Sequence, residues 1–140
     1  MFTPVSVRAA SAYRQVGVQS SVEGATPHML IKLLFDGLMQ SLNAARGALQ
    51  RGDIAGKGRH LSRAIGILEE GLQGGLNMEK GGELAENLAA LYDYCARRLL
   101  QASAHNDEKP IEEVVRLLGP VAQSWEQIGK NAAAGMKAGE

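Results

Sequence analysis

Between Pro27 and Ile128 apolar residues return every three or four positions, in four consecutive stretches separated by polar or glycine-containing breaks. That spacing gathers side chains on one side of an α-helix. The first stretch, from about Pro27 to Gln50, carries Ile31, Leu34, Leu38, Leu42, Ala45 and Leu49. Thr26 is a natural N-cap for it, and Pro27 suits the first helical position, where a missing N–H costs nothing. Gly52 closes this helix and Asp53 caps the next, which runs to about Leu76 on Ile54, Leu61, Ile65, Leu68 and Leu72, with Gly58 weakening the seam. The third, from about Gly82 to His105, carries Leu84, Leu88, Leu91, Cys95, Leu99 and Ala102. Asn106-Asp107 stops it and starts the fourth, from about Pro110 to Gly129, on Ile111, Val114, Leu118, Val121, Trp125 and Ile128. Pro120 predicts a kink there, with the seam resuming beyond it.

Helices of this length, ~30 to 37 Å at 1.5 Å per residue, joined by a few residues each, must lie antiparallel to their neighbours. The expected fold is all-α, an up-down-up-down four-helix bundle over residues 27–129. Residues 1–26 are expected to form an N-terminal arm with a short helix near Ala9 to Val16, and residues 130–140 a disordered or frayed tail.

Composition narrows the function. Basic and acidic residues both number 15, so the chain lacks the positive field that phosphate backbones attract, and nucleic acid is not an expected partner. A single cysteine, Cys95, cannot build a disulfide framework or a multi-thiolate metal site, and it fits a reducing cytosol. No run approaches the ~20 apolar residues of a membrane span, and the N-terminus lacks the apolar core of a secretory signal. A soluble, cytoplasmic protein is expected.

Lys80-Gly81-Gly82 invites a phosphate-loop reading, but the lysine precedes the glycines and the segment before it is helical. A glycine-relaxed turn between helices fits both sides. His28, His60 and His105 fall on three different helices without the Glu-x-x-His pairs of bundle metal sites, and the first and last suit solvated or capping roles. Glu69-Glu70 and Glu112-Glu113 read as solvated faces. "RHLSRAIG" places His60 beside Ser62, Arg59 and Arg63, which leaves a histidine phosphotransfer domain as the alternative from a different functional class.

The glycines supply a further clue. Each one inside a helix costs ~1 kcal/mol relative to alanine, yet the proposed helices contain several. On the second helix Ala64, Ile67, Gly71 and Gly74 follow one another at three and four, either to let the bundle's own helices approach closely or to leave a trough for a partner peptide. The first helix also carries Leu30, Leu33, Phe35 and Met39 beyond its stripe, an apolar surplus that Tyr13, Val16 and Val18 of the arm could cover.

"AYRQVGV", "ATPHMLIKLLFDG", "EKGGELAENLAALYDYCARRLLQA" and "AQSWEQI", in this order and spacing from about Ala12 to Ile128, resemble the flagellar secretion chaperone family FliS. The resemblance implies a cytosolic chaperone that binds the disordered C-terminal segment of flagellin, prevents its premature polymerisation and brings it to the export gate protein FlhA. It implies no catalysed reaction and no cofactor. Tyr13 and Val16 match the family's N-terminal tyrosine segment, associated with client binding and with covering the groove in the free protein. This chain has Ala10 where relatives can carry a bulky aliphatic residue. Binding of an anti-sigma factor, a second role in the family, is left open by these residues. On this reading the client-binding residues are Tyr13, Val16, Val18, Ala64, Ile67, Gly71 and Gly74. Tyr92, Trp125 and Cys95 are read as structural.

Overall fold

The computed structural model describes the backbone of residues 26–139 and the side chains of 26–128. The arm, with Tyr13, Val16 and Val18, lies outside the described residues. Among those described there are four helices and no strand: α1 (Pro27–Gln50), α2 (Ile54–Gly66), α3 (Met78–His105) and α4 (Lys109–Gly139). A π-helical segment, Ile67–Gln73, continues α2. None is long and apolar enough to cross a membrane.

The helix boundaries follow from local chemistry. Thr26 accepts a hydrogen bond from the Met29 N–H at 3.1 Å, with Pro27 opening the helix, and Asp53 accepts from the Gly56 N–H at 2.9 Å. Asn77 does the same for the Lys80 N–H at 3.0 Å. Between α1 and α2 the Asp53 N–H returns to the Ala48 carbonyl at 2.8 Å and the Gly52 N–H to that of Leu49 at 3.1 Å. This paired closure needs a left-handed residue after the cap, and Gly52 supplies it at φ +74°. Asn106, at φ 50°, plays the same part after α3. Asp107 then caps α4 by accepting from the Lys109 N–H at 3.0 Å.

Lys80-Gly81-Gly82 is a bend. Gly82 adopts φ 53°, ψ −133° inside α3, a conformation closed to side-chain-bearing residues, and divides a short first turn from the main helix.

The stripes meet in one core. Leu34, Leu38, Leu42, Leu61, Leu68, Leu99, Ile111, Val114 and Leu118 are fully or almost fully buried and share a cluster with Tyr92 and Cys95. Burying each large aliphatic side chain contributes roughly 1.5–3 kcal/mol. Burial holds the Tyr92 hydroxyl up at about 12 and the Cys95 thiol up at about 11, so both stay neutral.

Several expectations are corrected. The surplus on α1 is mostly internal, because Leu30 and Phe35 are buried beside the stripe. Three residues of the predicted seams are exposed to solvent: Ile54 at the start of α2, Leu84 just after the Gly82 bend and Ile128 in the second half of α4. The regular α-helix of α2 ends at Gly66 and passes into the π segment, short of the predicted limit at Leu76. α4 continues to Gly139, past the expected end at Gly129, where Ala132 to Ala134 favour helix and no proline interrupts it. As expected, α4 runs on through Pro120, and Val121 and Trp125 pack against the core beyond it. The missing N–H deprives the Arg116 carbonyl of its partner, but Arg116 and Pro120 both lie on the solvent side, where water replaces it.

Lys57 is a buried cation in α2. Its Nζ donates to the Ser103 carbonyl at 2.8 Å and reaches the Ser103 hydroxyl at 3.3 Å. That carbonyl belongs to the last turn of α3. Both the Asn106 and Asp107 N–H groups bond to Ala102 instead, so Lys57 fills the vacancy and places positive charge at the negative end of the helix dipole.

Gly58 shows the opposite situation. It lies in the interior of α2 and a Cβ there would meet nothing within 4 Å. Gly58→Ala is expected to stabilise the protein by about 0.5–1 kcal/mol, seen as a higher urea midpoint with an unchanged slope.

Candidate functional site

The four helices leave two polar edges and a set of exposed apolar side chains. Along the α3–α4 edge, Arg98 Nε donates to Glu113 Oε1 at 2.6 Å and Tyr94 Oη donates to Glu113 Oε2 at 2.7 Å, while Arg98 also reaches Gln101. Tyr94 and Arg98 converge on one carboxylate because a spacing of four puts them on one face. Hydrogen bonds from Arg98 and then Tyr94 hold the Glu113 carboxyl below its usual 4.5, and the same contacts raise the pKa of both donors.

The pH consequence has a definite sign. A carboxyl whose folded pKa is depressed stabilises the fold fully above its unfolded pKa and loses that contribution as pH falls through the folded value. Glu113→Gln should therefore be less stable than the wild type at pH 7, with the difference closing below about pH 4. Urea titrations across pH 3–7 measure it; a difference independent of pH would mean that the carboxylate's charge is irrelevant.

On the α1–α4 edge Glu108 accepts from Arg46 and from Gln50, each at 3.0 Å, and Glu112 lies 3.6 Å from Arg46. The Glu112-Glu113 pair, expected as a solvated face, is thus divided between two neighbouring helices. His28, expected to be solvated or capping, stacks on Trp125 with ring centroids 4.9 Å apart and planes at 13°. The indole N–H of Trp125 donates to the His28 carbonyl at 3.3 Å. Trp125 is half-buried against the core, in keeping with its structural reading.

Exposed apolar side chains occur on all four helices, Ile54 on α2 and Met78 and Leu100 on α3 among them. Leu117, one turn past Glu113, is 37% exposed, and Leu84 is 67% exposed near the start of α3, with Leu88 and Leu91 only half-buried between. Met29 at the start of α1 and Ile128 near the same end of the bundle are also exposed.

The row on the second helix is not one open trough. Ala64 and Ile67 are fully buried and Gly71 is buried with them; only Gly74 is exposed. Periodicity put these four on one side of a helix, but tertiary packing encloses the first three, and the π segment changes the angular step after Gly66. The burial of Ala64, Ile67 and Gly71 fits the other reading that the sequence allowed, close packing inside the bundle. His60 is half-buried on α2, and among the described residues no group of three or more His, Cys, Asp or Glu side chains is placed to hold a metal.

Pairing across helices leaves no mark in the local sequence. Tyr94 and Arg98 were visible at a spacing of four, but nothing local names Glu113 as their shared acceptor.

A helical bundle with apolar side chains left in solvent, its conspicuous polar groups engaged in ties between helices, is the form of a protein that binds other chains. Residues 9–132 match the family described as Flagellar protein FliS. The chain is 50% identical over 133 residues to the flagellar secretion chaperone FliS of Salmonella typhimurium, covering 95% of this chain and 96% of that protein. It is 42% identical over 122 residues to FliS of Escherichia coli, covering 87% and 90% of the two chains. It is 42% identical over 123 residues to FliSB of Pseudomonas aeruginosa, covering 88% and 97%. This chain belongs to the FliS family, and a chaperone role in flagellar export goes with that membership.

Proposed function

We propose that this protein binds the disordered C-terminal segment of flagellin in the bacterial cytosol, keeps it from polymerising prematurely and aids its delivery to the export gate protein FlhA. The observation that carries this reading is membership of the FliS family, together with large apolar side chains left exposed on all four helices, among them Met29, Ile54, Leu84, Leu100 and Ile128. A disordered segment loses conformational entropy when it is ordered, and extended contact with apolar surface offsets that loss. No reaction is part of this role. The arm residues Tyr13, Val16 and Val18 are proposed to contact the client, with Gly74 as the accessible member of the row on the second helix. Ala64, Ile67 and Gly71 take part only if the packing over them opens when the client arrives. Anti-sigma factor binding, left open by the sequence, is tested by competition with the flagellin fragment.

Co-expression with a flagellin C-terminal fragment tests the reading. The expected result is a stable one-to-one complex that is lost when that fragment is deleted from flagellin. Flagellin that co-purifies equally well after its C-terminal segment is deleted, or no complex at all, would refute it. Hydrogen exchange on the complex then locates the contact, with protection expected around Gly74 and a change at residues 13–18.

A further inference from the structure

We propose that the part of α4 beyond Pro120 is a hinged strap, able to swing about the Gly119–Pro120 joint and latched shut by Trp125 on His28. The attachments of α4 change character at that joint. Before it, Ile111, Val114 and Leu118 are fully buried, and Glu108, Glu112 and Glu113 are tied to α1 or α3 by Arg46, Gln50, Tyr94 and Arg98. Beyond it, among the described residues 121–128, no side chain is buried: Val121, Ala122 and Trp125 are half-covered and the others are exposed.

The joint itself is weak. Pro120 removes a backbone hydrogen bond to the Arg116 carbonyl and crowds the preceding turn, while Gly119 adds no side chain to brace it, with nothing within 4 Å of where its Cβ would stand. Trp125 contributes a stacked ring pair and a hydrogen bond of 3.3 Å to the latch, and Glu126, whose charge acts on Lys32, and Gln127 add contacts of their own. The antiparallel register that brings Arg46 to Glu108 and His28 to Trp125 places the strap alongside the first turns of α1, around Leu30, so its opening would bare that end of α1. The strap is a property of the free protein and does not depend on which client it binds.

Hydrogen exchange on the full chain tests this, with acrylamide quenching of Trp125, the single tryptophan, as a second readout. Amides of residues 121–128 should exchange at least about tenfold faster than those of 110–118. Pro120→Ala, which restores the N–H and the hydrogen bond to Arg116, should narrow that gap. His28→Ala should widen it and increase quenching, leaving 110–118 unchanged. Equal rates on both sides of Gly119 would overturn the hinge. A gap that Pro120→Ala leaves intact would reduce it to ordinary fraying of a helix end, and quenching unaffected by His28→Ala would remove the latch.

Discussion

Leu38→Ala should lower the unfolding free energy by about 3 kcal/mol, within the 2–5 kcal/mol that such truncations cost in well-packed cores. Leu38 has no exposure and sits at the middle of α1, flanked by the equally buried Leu34 and Leu42, in the cluster to which all four helices contribute. The surrounding side chains belong to rigid helices and cannot collapse fully into the space, so a cavity term adds to the lost transfer energy. Urea unfolding should show a lower midpoint with an unchanged slope. A loss below about 1 kcal/mol would mean that the centre of α1 is not part of a tightly packed core.

Gly74→Ala is expected to cost about 2 kcal/mol, in the range for forcing atoms into occupied space. An added Cβ would lie 2.4 Å from the Glu70 carbonyl oxygen and 3.1 Å from its carbon. The obstacle is backbone, and it belongs to the π segment, which is pinned by the buried Ile67, Leu68 and Leu72. Either the turn after the segment moves or the segment itself reverts toward α-helical geometry. The contrast with Gly58→Ala makes the test sharp: two glycines of one helical stretch, replaced by the same residue, should shift the urea midpoint in opposite directions. A Gly74→Ala protein as stable as the wild type would overturn the packing described for the π segment.

Much of this fold is legible in local chemistry. Thr26, Gly52, Asp53 and Asn106-Asp107 mark helix ends through hydrogen bonds that span only two to five residues, so their roles can be read without knowing the fold. Lys80-Gly81-Gly82 is legible as a bend for the same reason. The candidate site is much less so. Gly71 and Gly74 stand three apart in a row that suggests a surface feature, yet one is buried and the other exposed. Lys57 looks like any solvated helix lysine until the unsatisfied Ser103 carbonyl, 46 positions later, is brought beside it. The arm residues Tyr13, Val16 and Val18 rest on the resemblance and on the test proposed above.

Apolar spacing, capping residues and short connections determined four antiparallel helices and one shared core, because those signals act between residues a few positions apart and each helix must hide the stripe it creates. Tertiary structure alone decided which parts of each stripe are hidden, which acid meets which base, and where the regular helix gives way to a π segment. The physical reason is that burial and ion pairing depend on what lies across the interface. Glu113 becomes an acceptor for Tyr94 and Arg98, and Leu84 stays in solvent, only once α3 and α4 are set side by side in one particular register.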